Sequence, residues 1–143
     1  MILAVKLILI FLSMFFAHLI DDYCLQNVLA KLKQKKWWEE NCPKDMYKYD
    51  YKIALIEHAF ANAFCIIIPL IYVFIKYENN LTSANIVLLP ISFFLIFITH
   101  IIIDHLKANV NSINLVQDQL YHLVIIFFMW ICNLIWILEA FSK

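Results

Sequence analysis

Seven side chains in this 143-residue chain could do chemistry together, and most of them come in pairs. His100 and Asp104 stand four residues apart as HxxxD, and Asp118 and His122 repeat that spacing in reverse. His18 and Asp22 give a second HxxxD, and His58 stands alone. Residues four apart on a helix share a face, about 6 Å apart along the axis, so each pair can aim an imidazole and a carboxylate at one point. Such pairs, brought together from several helices, are what a divalent metal site in a bundle requires. Seven donors exceed the needs of one tetrahedral zinc. They suit two ions, or one ion with a carboxylate left over as acid or base.

The elements that must position these residues are too apolar for water. The first two pairs are flanked by IVLLPISFFLIFIT and LVIIFFMWICNLIWIL; 64% of the chain is hydrophobic, it has no glycine, and its mean hydropathy is +0.79. A soluble domain is about half apolar, so the expectation is an all-α integral membrane protein, a single four-helix domain over residues 1–143. A bilayer core of about 30 Å needs about 20 helical residues. Four runs qualify, at about 2–24, 53–76, 85–107 and 115–139, with Pro69 expected to kink the second and Pro90 tolerated near the start of the third. The first run is long for a signal peptide, lacks an A-x-A site and carries His18, so it reads as a retained helix.

Lysines set the orientation. The segment 31–52 carries seven, the turn between the third and fourth runs carries Lys107, and the opposite side has little besides Lys76 and Lys143. The positive-inside rule then places that loop and turn in the cytoplasm. Lys31, Lys33, Lys35 and Lys36, followed by Trp37 and Trp38 and extended by Tyr47, Tyr49 and Tyr51, read as a headgroup anchor. On this topology all seven donors fall at one membrane depth, the cytoplasmic end. An ionisable group in hydrocarbon costs about 2.5–3.5 kcal/mol at a helix centre, so such a set persists where it pairs, meets water or binds a metal.

Neighbouring groups take lesser roles. Gln26 could orient a ligand or bind substrate, Gln119 is a candidate supporting hydrogen-bonder, and Lys107 could neutralise a phosphate or merely snorkel. Asp21 and His105 each adjoin a proposed ligand and are expected to face water, while Glu57 could replace His58. Cys24, Cys42, Cys65 and Cys132 are scattered without a CxxC pair, so neither a zinc ribbon nor a disulfide framework is indicated; Cys65 and Cys132 should pack as small hydrophobes. Formal net charge is zero, with eleven lysines and no arginine, so no nucleic-acid partner is expected. Lysine without arginine, with much Ile and Asn, hints at an AT-rich bacterial or phage genome. Without glycine there is no phosphate-cradling loop, and GxSxG and HExxH are absent. Asn80-Leu81-Thr82 forms a glycosylation sequon in the outer loop.

The segments HLIDDYCLQ, His58, HIIIDHLK and DQLYH resemble the domain of unknown function 3307 family, small bacterial and phage membrane proteins. Its pattern runs H-x-x-x-D-[FY]-x-x-Q, a His opening the second helix, H-x-x-x-D-x-x-K and D-Q-x-x-H. All four segments occur in order across nearly the whole chain, with Tyr23 in place of the commoner Phe and Glu57 before His58. The resemblance implies the same site residues and no particular reaction. More loosely, the chain is similar to membrane-bound metal-dependent hydrolases.

These observations lead to an expected function. The chain would be a membrane-embedded hydrolase of the bacterial inner membrane, holding one or two divalent ions, zinc by donor type. His18, Asp22, His58, His100, Asp104, Asp118 and His122 would be ligands, with Asp118 or Asp22 serving as base. The substrate would be a lipid or lipid-linked phosphoester, attacked by a water that the ion activates. Two rivals stand beside it: a divalent-cation or proton transporter, and a non-catalytic phage or defence-associated effector with a structural metal. The polar residues available to a transporter in the outer halves are few: Ser92, Asn133 and Asn62. A homodimer is a further expectation, since four helices alone make a small bundle.

Overall fold

The computed structural model describes residues 1–77 and 83–142, and the sequon and Lys143 lie outside them. The described residues form helices α1 (Ile2–Ile20), α2 (Leu29–Leu32), α3 (Lys35–Asn41), α4 (Asp50–Lys76), α5 (Ser83–His105) and α6 (Leu115–Ser142), with no strand among them. Four spans, Ile2–Leu25, Asp45–Lys76, Val87–Val110 and Leu115–Phe141, are long and apolar enough to cross a membrane. The protein is an all-α, membrane-type four-helix bundle. Segment 31–52, expected as a loop, carries α3, the end of α2 and the start of α4, which begins at Asp50 rather than 53.

The long helices pack in a ring: α4 against α1 and α5, and α6 against α5 and α1. Most large apolar side chains point outwards, towards lipid, as in Phe16, Phe60, Phe94 and Phe128. The inward stripe of α4 shows how the ring closes. Tyr51, Ala54, Leu55, His58, Ala59, Asn62, Ala63, Ile66, Ile67, Leu70 and Val73 are buried at the three-and-four spacing of one helical face. Alanine does here what glycine does in other membrane bundles, letting backbones approach. The stripe also corrects the reading of Tyr51, which is buried two turns before His58 and stands apart from the interfacial belt. Pro69 and Pro90 lie inside continuous helices.

The ends of α1 and α5 share a construction. Each carries the His of an HxxxD pair in its last turns and widens into a π-helical turn, Asp21–Leu25 after α1, which holds that pair's Asp22, and Leu106–Val110 after α5, which follows Asp104. Each then leaves the helix through an asparagine with positive φ, Asn27 at 36° and Asn111 at 56°. A chain without glycine uses asparagine there, the residue that tolerates this region best after glycine. Single π turns occur mostly at functional sites, because they re-aim side chains at a helix end.

Candidate metal centre

His18, Asp22, His58, His100, Asp104, Asp118 and His122 are all buried and meet inside the ring at one end of the bundle. Each long helix supplies part of the set, α1 giving His18 and its π turn Asp22, α4 His58, α5 His100 and Asp104, and α6 Asp118 and His122. A dry layer closes the site from the bundle interior. Met14, Ile66, Ile96 and Ile126 stand one turn beyond His18, Asn62, His100 and His122, and all four are at most 2% exposed.

The tightest group is Asp22 with His58 and His100. His58 Nε2 lies 3.2 Å from Asp22 Oδ1 and 3.1 Å from His100 Nε2, and His100 Nε2 lies 3.9 Å from Asp22 Oδ1. Two atoms about 2.1 Å from one tetrahedral ion sit about 3.4 Å apart, which falls in the middle of these three distances. Yet Asp22 Oδ1 has no hydrogen-bond partner among the described residues. Its neighbours are near without being aligned as donors, as atoms that converge on a shared point are.

Three overlapping donor triads emerge: Asp22 with His58 and His100, Asp22 with Asp118 and His122, and His18 with His100 and His122. Asp22 belongs to two of them. Beyond Asp22 Oδ1, the buried atoms His18 Nε2, His100 Nδ1, Asp118 Oδ1 and His122 Nε2 also lack a hydrogen-bond partner among the described residues. Buried polar atoms are rarely left so, and five in one cluster point to a ligand that binds there. The donor set of imidazole nitrogens and carboxylate oxygens fits a divalent transition metal.

Asp104 sits differently from the other carboxylates. Its Oδ2 lies 3.4 Å from His58 Nε2 and 3.6 Å from His100 Nε2, its Oδ1 3.5 Å from His122 Nε2, and Lys33 Nζ reaches Oδ2 at 2.5 Å. It belongs to none of the three triads. Asp118 is likewise held at Oδ2 by Lys107 Nζ at 2.5 Å, while its Oδ1 faces His122 Nε2 at 3.6 Å. Gln119 Nε2 donates to Asp22 Oδ2 at 3.2 Å and to Asp118 Oδ2 at 3.0 Å, tying the first π turn to α6. The Gln26 side-chain amide donates to the Asp22 backbone carbonyl.

Three residues of the site escaped the sequence reading. Asp21, expected in water, is 2% exposed and accepts a hydrogen bond from Asn62 Nδ2 at 2.9 Å. The reason is elementary: three residues after His18 lies on the same helical face as four, so Asp21 and Asp22 flank it on either side. Asp21 Oδ2 also lies 3.5 Å from His58 Nδ1. A carboxylate at Nδ1 keeps the hydrogen there and leaves the Nε2 lone pair free to ligate, the usual support of a metal-bound histidine. Asn62 lies against His18 Nδ1 with both its Oδ1, at 3.4 Å, and its Nδ2, at 3.3 Å, and so positions that ring. Its place one turn after His58 was a usable signal.

Lys33, read as part of the headgroup anchor, is the third. Asn109, in the second π turn, accepts from the Lys35 backbone N–H at 2.7 Å and donates to the Lys33 carbonyl at 3.1 Å, which clamps the end of α2 over the site. Glu57 is exposed while His58 is buried, so it does not replace the histidine. His105, expected in water, is only half-exposed and belongs to none of the triads. Cys132 lies on the exposed surface instead of packing inside, and Cys65 is half-buried.

Set against models of protein families, curated proteins and solved structures, the chain matches none. Its chemistry therefore has to be argued from these residues. Asp21, Asp22, Asp104 and Asp118 are four buried carboxylates, and Lys33 and Lys107 are the two ammonium groups on them. With neutral imidazoles the formal balance is −4 + 2 = −2, which one divalent cation would cancel.

Proposed function

We propose that the protein is a membrane-embedded metalloenzyme that hydrolyses a lipid or lipid-linked phosphoester. The observation that carries this reading is the convergence of buried His and Asp side chains from four helices at ligand-to-ligand spacing, with five of their atoms lacking a hydrogen-bond partner among the described residues. Asp22, His58 and His100 would hold one ion, zinc by donor chemistry, and Asp22, Asp118 and His122 a second where two bind. A bound ion would supply Lewis-acid activation of a water. Asp118 suits the base, since its Oδ2 is fixed by Lys107 and Gln119 while its Oδ1 is free to accept a proton. Asp21, Asn62 and Gln119 hold the imidazoles and carboxylates in place. Membership of the domain of unknown function 3307 family belongs to the same proposal.

The setting supports a lipid substrate. The site lies at an end of the bundle where a phosphoester would sit, and its acyl chains would lie along the apolar outer faces. The lysines of segment 31–52 lie at that end, so the positive-inside rule puts the site at the cytoplasmic face of a bacterial inner membrane. The apolar layer of Met14, Ile66, Ile96 and Ile126 blocks the path a transporter needs.

A second reading rests on the same contacts. Imidazole–carboxylate distances of 3.2–3.9 Å also describe an ion-pair network in which two protonated histidines balance the charge. Turnover separates the two. The full chain in detergent, loaded with zinc, should release phosphate or an alcohol from short-chain lipid phosphoesters, and Asp118→Asn should abolish turnover while keeping the ion held by Asp22, His58 and His100. Absence of turnover across phosphomonoester and phosphodiester lipids by metal-loaded protein overturns the enzyme reading.

A further inference from the structure

A cavity of about 330 Å³ opens beside the centre, walled by Gln26, Lys33, Gln34, Asp104, Lys107 and Asn111. Asp104 belongs to both, so the cavity and the metal centre share a wall. We propose that this cavity is the phosphoryl subsite, in which Lys33 and Lys107 hold the substrate's oxyanion once a metal ion has taken over the charge of the carboxylates. This rests on the metal reading and adds to it a place for the anion and an order of binding.

The two ammonium groups are the cations of this wall. Each now touches one carboxylate oxygen of the cluster, Lys33 on Asp104 and Lys107 on Asp118, both at 2.5 Å. An ammonium group has three donors, so each lysine keeps two beyond that contact. Lys33 is 12% exposed and Lys107 36%, so both are partly dehydrated while still open to the cavity. With the imidazoles neutral and the formal balance at −2, an incoming anion meets net repulsion, and the carboxylates hold the lysines for themselves. A divalent ion among the imidazoles reverses both effects, since the same carboxylates then have a stronger partner.

The rest of the wall suits a phosphorylated headgroup. Gln34 and Asn111 line the cavity with side-chain amides, each able to donate to phosphoryl oxygens. Gln26, another residue of the wall, gives its amide N–H to the Asp22 carbonyl and so joins the cavity to the first π turn. The clamp through Asn109 has a purpose here as well, because it fixes the backbone of Lys33 over the opening.

Ion and anion should therefore bind with positive coupling, and coupling between two ligands is reciprocal. The test titrates zinc into the full chain in detergent against a chromophoric chelator. One arm holds inorganic phosphate, one short-chain phosphatidic acid, and one short-chain phosphatidylcholine. Phosphatidic acid should tighten zinc binding about 5–150-fold, the usual range of site-to-site coupling. A matching effect of inorganic phosphate means that the free anion suffices, and an effect of phosphatidic acid alone means that the lipid is required. Lys33→Gln and Lys107→Gln should each remove the coupling while zinc still binds, and Lys33→Arg should restore part of it. Where Lys107→Gln leaves Asp118 unpaired and the chain misfolds, Lys33→Gln decides alone, since Asp104 keeps His58 and His122. Zinc bound to the wild type with an affinity indifferent to every anion overturns the subsite and leaves the metal centre standing. Coupling that survives in Lys33→Gln does the same. Failure of zinc to bind at all overturns the metal reading and the subsite with it.

Discussion

Two polar clusters lie buried in this bundle, and they are built on opposite rules. In the half away from the centre, Ser92, Asn133 and Trp136 form a closed set. Asn133 Nδ2 donates to Ser92 Oγ at 2.8 Å and to the Met129 carbonyl at 2.7 Å, Trp136 Nε1 donates to Asn133 Oδ1 at 2.6 Å, and Ser92 Oγ donates to the Leu88 carbonyl at 2.8 Å. None of its side-chain atoms is left without a partner. The His/Asp cluster is larger and charged, and it leaves donors and acceptors unmatched at the centre of an otherwise dry ring. A satisfied neutral network fixes helix register; an unsatisfied charged one is costly unless something else binds. The first cluster holds the fold together. The second could hold a metal ion.

That contrast can be broken or sharpened by mutation. The largest effect is expected at Asp22, which serves two of the three donor triads. Asp22→Ala should remove bound metal altogether, measured by elemental analysis, and the apo chain should lose little stability because a buried carboxylate with one unpartnered oxygen goes with it. Metal itself should matter next: at a free concentration of about 100 times Kd, zinc should stabilise the fold by about 2.7 kcal/mol, and a chelator should reverse this in a thermal melt. Substituting the supporting residues, Asp21→Asn or Asn62→Ala, should weaken metal affinity about 10–100-fold with the ligands intact. Asn133→Leu should behave in the opposite way. It orphans Trp136 Nε1 and should cost about 1–2 kcal/mol in unfolding while metal content stays unchanged. Glu57→Gln, on the exposed face beside His58, should change neither.

What could be read in the sequence follows from the same physics. Long apolar runs make the spans of α1, α4, α5 and α6 legible, because the bilayer demands them. Ionisable residues in such runs stand out for their cost, which is why His18, Asp22, His58, His100, Asp104, Asp118 and His122 could be named. Asp21 was misplaced because adjacency to Asp22 was taken to mean opposite faces, although it lies three residues from His18. Asn62 was visible only as a polar residue in mid-helix, and its role depends on what α1 presents to it. Lys33 could not be found at all by spacing. It reaches Asp104 across 71 positions of sequence through the clamp that Asn109 makes, and no local period encodes that.

Metal content by mass spectrometry decides whether the unsatisfied cluster holds an ion. The comparison needs detergent-purified wild type, Asp22→Ala and Asn133→Ala, matched for helix content. The account predicts about one or two equivalents of a transition metal per chain in wild type and Asn133→Ala, and none in Asp22→Ala. Well-folded wild type without metal after zinc loading, or metal retained in Asp22→Ala, would contradict it and leave the cluster as an ion-pair network.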